Sequence, residues 1–257
     1  MSDLAVTVLG SSGTHPGPLG PCSSYLVRSG DYRLLLDAGH GSLATLHRFC
    51  EPADVDAVLV SHRHPDHCAD LLGMFYARMF AGEGNPDAEP PVLPVYAPDG
   101  VADTVRASIG ADAAAAFDKR LAFSTVTAGD DLDLGPFAIS LFAADHLVEG
   151  VMPRIGAGAA TVCYTGDTGP DGQVTDAARG VDLLIADCSW LERTSPRPGG
   201  IHMTGGEAGE HAQRAGVGML AAGHIQPRYP AAEVAAEAAA TFDGSVVVAR
   251  AGETFEL

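Results

Sequence analysis

The segment Ser61-His62-Arg63-His64-Pro65-Asp66-His67 constrains the fold of this chain more than any other stretch. It sets three imidazoles and a carboxylate directly after an apolar run, residues 55–60. A short apolar run bounded by polar residues reads as a buried strand. A strand that feeds such a cluster must end at a rim where side chains can converge on a ligand. Ordinary core packing has no use for that density of histidine. On an extended stretch His62 and His64 point the same way, because side chains alternate with period two. Asp66 and His67 then fall at the turn into a helix expected to start near Cys68. Imidazole with carboxylate suits zinc or a similar borderline divalent cation, and these groups can divide between two adjacent ions.

Elsewhere, short apolar runs alternate with Ala-rich helical stretches, the pattern of an α/β fold. Strands are expected at residues 5–9, 24–28, 33–37, 55–60, 94–96, 121–127, 137–143, 150–155, 160–164, 181–186, 217–222 and 245–249. Helices are expected at residues 42–49, 69–77, 101–107, 175–178, 205–215 and 231–241. Thr204 and Pro230 suit the starts of the last two. Paired strands in each half, with helices between, suggest two mixed sheets packed face to face and covered outside by helices. The Gly-, Pro- and acid-rich residues 81–91 read as a surface loop. No repeat or low-complexity linker divides the chain, so residues 1–257 are expected to form a single domain.

Four further polar residues sit where strands are expected to end, and such loops carry chemistry. His146 follows Asp145 after the run at 137–143. Asp167 lies in Thr165-Gly166-Asp167-Thr168. His224 opens His224-Ile225-Gln226-Pro227-Arg228-Tyr229. Asp37 lies in Leu36-Asp37-Ala38-Gly39-His40-Gly41.

Together these residues resemble the metallo-β-lactamase superfamily, whose pattern is HxHxDH, a lone His, a lone Asp and a final His. Here His62, His64, Asp66 and His67 match the motif, and His146, Asp167 and His224 match the rest in order. The resemblance covers nearly the whole chain and implies an αββα sandwich with a binuclear site. It implies that His62, His64 and His146 hold one ion, that Asp66, His67 and His224 hold the other, and that Asp167 bridges them. Asp37 matches a supporting carboxylate that holds the motif loop in place. Zinc is the default metal for such ligands, with manganese and iron as alternatives. A redox di-iron branch would favour Glu in place of His64. A binding module with decayed chemistry would lack ligands, and none is lacking.

Two ions sharing Asp167 can hold a hydroxide between them, because a metal lowers the pKa of water from 15.7 to about 7. The same ions can neutralise phosphodiester oxygens as charge builds. Protonation of the leaving oxygen needs another group. His202, in Ile201-His202-Met203-Thr204 at an expected helix start, resembles the proton-donor histidine of the ribonuclease Z branch. Asp66 and His202 are therefore assigned to catalysis, Asp66 being a metal ligand as well. The segment 224–229 also resembles that branch's closing motif, but Ala222-Gly223 replaces the usual Leu-Thr, and Gly223 is expected to loosen the backbone at His224. That branch's tRNA-binding arm has no room in residues 147–166. Leu9-Gly10-Ser11-Ser12-Gly13, Asp167-Thr168-Gly169 and Asp187-Cys188-Ser189-Trp190 resemble a bacterial 3′,5′-cyclic-nucleotide phosphodiesterase group. The expected activity is hydrolysis of a small cyclic phosphodiester such as cyclic AMP. The alternatives are tRNA 3′-end cleavage, or hydrolysis of a carbon ester, thioester or lactam.

Charge bears on that choice. Thirty-three acidic residues against fifteen basic give a net charge of −18, which opposes long polyanions because nucleic-acid affinity rests on Lys and Arg contacts to phosphate. The expected partner is a small-molecule phosphodiester, with nucleic acid disfavoured and a homodimer compatible with relatives of this architecture. No apolar run approaches the ~18 residues that span a bilayer, and the start Met1-Ser2-Asp3 lacks a basic leader. Five scattered cysteines, without a CxxC, read as free and mostly buried thiols in a reducing compartment. A cytoplasmic protein is expected. His15 and His40 are candidates to approach substrate, the alternative for His15 being a solvent-exposed loop histidine, while His40 occupies a spot where the family often has an acid. His47 and His211 lie in helices and are expected to face solvent. Trp190, Arg228 and Tyr229 have two readings each: substrate contact, or a packed ring and a structural ion pair.

Overall fold

The computed structural model describes residues 4–81, 89–110, 113–194 and 196–257. The loop expected at 81–91 falls mostly outside these, at 82–88.

Two seven-stranded mixed sheets form the centre. The first runs β1 (Ala5–Gly10), β2 (Ser24–Ser29), β3 (Tyr32–Leu36), β4 (Ala57–Leu59), β5 (Leu93–Ala97) and β6 (Leu121–Thr125). The second runs β7 (Asp131–Leu134), β8 (Phe137–Ala143), β9 (Val151–Ala157), β10 (Ala160–Tyr164), β11 (Leu183–Asp187), β12 (Met219–Gly223) and β13 (Ser245–Val248). The last strand, β14 (Thr254–Glu256), returns to pair antiparallel with β1. Each sheet turns antiparallel where strands are joined by hairpins, as in β8–β9–β10, and parallel where a helix crosses over, as in β10–β11–β12.

Helices α1 (Ser42–Leu46), α2 (Pro65–Cys68), α3 (Leu71–Phe80), α4 (Val101–Ile109) and α5 (Ala114–Phe117) belong to the first half, and α6 (Val174–Ala177), α7 (Gly205–Ala215) and α8 (Ala231–Ala239) to the second. Strands covered on both faces read as continuous apolar runs. In β11, Leu183 and Ile185 enter the layer between the sheets, while Leu184 and Ala186 pack outward against Ala208, Ala212, Val234 and Ala238. In the first sheet, Leu35, Val58 and Val95 face out against Leu71, Phe75 and Val105. The α/β sandwich expected from the sequence is the observed architecture. Among the described residues no helix is long and apolar enough to cross a membrane.

Local signals place some elements well. Thr204 caps α7 by accepting from Glu207 N at 3.0 Å, and Glu207 accepts from Thr204 N at 2.8 Å, a reciprocal box that fixes the helix start. The turn after the histidine motif begins earlier than expected: Pro65 opens α2, so Asp66 and His67 lie within it, and α3 follows at Leu71. Proline with its preset φ favours the first helical position. Two strands were not anticipated, β7 and β14, both short edge strands. The five cysteines are free, and only Cys50 is partly exposed.

Candidate metal centre

Asp37 organises one side of the site. It leaves β3 with φ 57, a left-handed conformation uncommon outside glycine, which turns its carboxylate under the motif loop. Oδ1 accepts from Ser61 N at 2.6 Å. Oδ2 accepts from Ser61 Oγ at 2.8 Å, Tyr164 OH at 2.7 Å and His67 Nδ1 at 2.6 Å. The last bond puts the His67 proton on Nδ1 and leaves the Nε2 lone pair facing the centre.

Two groups of donors meet there. In the first, His64 Nδ1 lies 3.0 Å from His62 Nε2 and 3.1 Å from His146 Nε2. Asp167 Oδ2 stands 3.7 Å from His62 Nε2 and 4.0 Å from His146 Nε2. His146 donates from Nδ1 to Ile201 O at 2.9 Å, so its Nε2 carries the lone pair. In the second, Asp167 Oδ1 lies 3.0 Å from His67 Nε2 and 3.1 Å from His224 Nδ1. Asp66 Oδ2 lies 3.7 Å from His67 Nε2 and 3.8 Å from His224 Nε2. Each set has its candidate ligand atoms within 4.8 Å of one another. All seven residues singled out in the sequence as metal ligands therefore meet, and Asp167 belongs to both groups.

The donor set fits divalent metal. Tetrahedral zinc with bonds of 2.0–2.1 Å keeps its ligand atoms about 3.3 Å apart, within the range of these separations. His67 Nε2, His224 Nε2 and Asp167 Oδ1 are buried and make no hydrogen bond, although Nε2 of His67 stands only 3.0 Å from Asp167 Oδ1. Buried polar atoms normally find partners, and a cation supplies one for all three. Burial, then neighbouring imidazoles, lowers the pKa of His62 well below its ordinary value and also lowers that of His64. Burial lowers His224 too. Neutral imidazole is the form that ligates metal. Burial opposes ionisation of Asp167, but His224 and His67 hold its carboxyl well below the usual range. Burial likewise opposes charge on His67, yet Asp167 and Asp37 overcome it and raise its pKa well above the usual value. A field that draws a proton onto that ring also draws a metal ion.

His202 stands beside this centre. Its Nδ1 donates to Asp187 Oδ2 at 2.8 Å and lies 3.9 Å from Asp167 Oδ2. Its ring is 5.2 Å from that of His224 and 5.4 Å from that of His146. Asp187, the last residue of β11, also accepts from Thr168 N at 3.1 Å and Ser189 N at 3.0 Å. Burial opposes charge on His202, but Asp187 outweighs it and raises the pKa to about 9.

Several contacts were not legible beforehand. Asp187 is not among the residues expected at the site, although a carboxylate ending the apolar run Leu-Leu-Ile-Ala-Asp carries the same signal as Asp37 ending Leu-Leu-Leu-Asp. Thr14, with φ 63, donates its backbone N–H to Asp66 Oδ2 at 2.9 Å, so the Gly-rich loop orients a candidate ligand. No residue type announces that contact. Gly223 makes room for a ring: a Cβ there would come within 2.8 Å of Tyr25 Oη. His15 and His40 are exposed and outside both donor groups. His47 is exposed as expected, but His211 is not: its Nδ1 pairs with Thr175 Oγ1 at 2.8 Å and its Nε2 donates to Pro170 O at 3.0 Å. The packing of α7 on the 170–175 segment buries it.

Comparison with known proteins places the chain. A β-lactamase superfamily domain matches residues 32–225. An uncharacterized protein of Mycobacterium leprae is 36% identical over 99% of this chain and 89% of its own length. A ribonuclease Z of Haloarcula marismortui is 31% identical over 97% of this chain and 95% of its own. The probable metallo-hydrolase YhfI of Bacillus subtilis is 32% identical over 98% of this chain and all of its own. The crystal structure of YhfI, a metallo-β-lactamase fold protein, superposes with a TM-score of 0.87 at 29% identity, covering both chains completely. The chain thus belongs to the metallo-β-lactamase superfamily, among its metal-dependent hydrolases, and resembles the ribonuclease Z branch.

Proposed function

We propose that this hydrolase is a binuclear phosphodiesterase acting on a small diester such as 3′,5′-cyclic AMP. One observation carries the reading: two donor groups share Asp167, and a carboxylate-held imidazole, His202, stands 3.9 Å from that shared side chain. His62, His64 and His146 would hold one divalent ion and Asp66, His67 and His224 the other, with Asp167 common to both. Zinc suits this donor set, and manganese or iron(II) are the alternatives. When bound, such ions supply an activated water and neutralise charge on the phosphoryl oxygens.

The chain's own groups do the rest. Asp37 fixes the ring of His67, and the Thr14 amide fixes the carboxylate of Asp66. Asp187 occupies Nδ1 of His202, which leaves Nε2 to carry a proton to the departing oxygen. A departing alkoxide needs that proton, which favours a sugar diester over a substrate with a good leaving group. The likeness to a ribonuclease Z supports phosphodiester chemistry. Residues 147–166 are occupied by the β9–β10 hairpin, and the net charge of −18 disfavours a long RNA. Both favour a small substrate.

The deciding experiment assays one purified, metal-quantified sample against cyclic AMP, cyclic GMP, precursor tRNA and an aryl phosphodiester. Cyclic nucleotides are expected to be the best substrates. Asp167→Ala should lower turnover by roughly 10⁴ or more together with bound metal. Full activity in that variant would sink the mechanism, and precursor tRNA as the best substrate would replace the substrate reading.

A further inference from the structure

The sugar-phosphate chemistry above leaves a neighbouring cavity unused. It has a volume of about 530 Å³ and is lined by Pro18, Leu19, Pro227, Arg228, Tyr229 and Arg250, among others. It adjoins the reaction centre in two ways. Pro227 and Arg228 follow His224 by a few residues, and the Trp190 ring bridges from His202, 5.7 Å away, to the Arg228 guanidinium, 5.4 Å away. The far wall comes from the loop whose Thr14 amide holds Asp66. That loop lies directly on Pro227, since a Cβ on Gly17 would come within 2.4 Å of Pro227 Cγ.

Arg228 is among the described cations of this chain that pair with no carboxylate and instead lie against aromatic rings. Among the described residues Arg106, Arg120, Arg179, Arg193, Arg197 and Arg214 all pair with carboxylates, but Arg228 and Arg250 do not. An ion pair, one of the two readings of Arg228, is therefore not its role. Its guanidinium lies 4.8 Å from the Tyr229 ring as well as against Trp190. Tyr229 is itself fixed, its hydroxyl 2.9 Å from Thr194 Oγ1. In a chain with 33 acidic and 15 basic residues, a cation kept off every carboxylate and held flat by two rings presents a planar face to a ligand.

Mostly apolar walls of proline and leucine with a few placed polar groups describe a small-molecule site. Planar heterocycles stack on aromatic rings and on arginine without need of edge recognition. We infer that this cavity receives the heterocyclic base of the substrate, with Arg228 as its stacking partner; the inference rests on the phosphodiesterase reading and names the other half of that ligand.

The test compares cyclic AMP with methyl 4-nitrophenyl phosphate, which has no base. Arg228→Ala should lower the ratio of kcat/KM for cyclic AMP to that for the small ester about tenfold, through KM. Arg228→Lys keeps the charge but not the plane, and should lower the ratio as much. An unchanged ratio in Arg228→Ala, or a ratio fully restored in Arg228→Lys, overturns the inference. Trp190 is the only tryptophan, so its fluorescence gives a second reading with adenosine, which carries no phosphate. A saturable change in the wild type that weakens in Arg228→Ala supports the base site; no saturable change in the wild type overturns it. Should the wild type cleave neither ester, the phosphodiesterase reading falls, and the adenosine titration still decides the cavity.

Discussion

Asp37, following β3 in one sheet, and Asp187, ending β11 in the other, each bury a carboxylate against the Nδ1 of an imidazole, at 2.6 Å for His67 and 2.8 Å for His202. Each also accepts from the backbone of its own rim, Ser61 N for Asp37 and Thr168 N and Ser189 N for Asp187. The two pairs are built alike and differ in what surrounds the ring. His67 is fully buried, and its Nε2 faces Asp167 Oδ1 at 3.0 Å. His202 is partly exposed, and it is Nδ1, already given to Asp187, that lies nearest Asp167, at 3.9 Å. One carboxylate thus aims a lone pair at the donor cluster, and the other holds a protonated ring at its edge. A buried carboxylate–imidazole pair has no fixed role; the neighbours of the second nitrogen assign it.

This contrast can be broken experimentally. The largest effect is expected at the edge: His202→Ala should lower kcat by roughly 10²–10⁴ while metal content, measured by elemental analysis, stays at the wild-type level. Asp37→Asn should act on binding instead. Loss of an outer carboxylate that orients a ligand costs about 10–100-fold in metal affinity, read by competition with a chelator. If His202→Ala strips the metal, or Asp37→Asn slows turnover with metal affinity intact, the two pairs have been assigned the wrong way round.

A third imidazole sharpens the comparison with the smallest effect. His211 is buried like the other two but meets a hydroxyl and a carbonyl rather than a carboxylate. Burial, and then Arg214, lowers its pKa below 6.5. The unfolded chain then binds a proton at a pH where the folded chain does not, so stability is lost as pH falls below about 6.5 toward the folded value. Denaturant midpoints measured from about pH 7.5 down to 5.5 should fall more steeply for the wild type than for His211→Gln. Identical slopes would mean that the ring is not held neutral.

Much of this was readable in advance where the signal is local. The apolar runs ending in Asp37, Asp167 and His224 marked strand ends, and the histidine motif marked the rim, because period and residue type are properties of neighbours in sequence. Thr204 announced the start of α7 for the same reason. The edge strand β7, Asp131–Leu134, escaped notice because a short strand with exposed aspartates carries little hydrophobic signal. His211 departs from the solvent-facing expectation because helical position alone does not say which neighbour covers a face. Asp187 ended an apolar run as plainly as Asp37 did, but its partner lies fifteen residues away, in a loop with no periodicity.

The order of chemical types along the chain therefore determined that the protein would be a two-sheet α/β fold with a metal-seeking rim. Alternation and ligand identity are written residue by residue and survive in any arrangement that buries the apolar faces. Tertiary structure alone decided that Asp187 holds His202, that the Thr14 amide holds Asp66, that His211 is buried, and that Arg228 lies against two rings without a carboxylate. These depend on separations of a few ångströms between residues far apart in sequence, which are set only when the two sheets pack against each other.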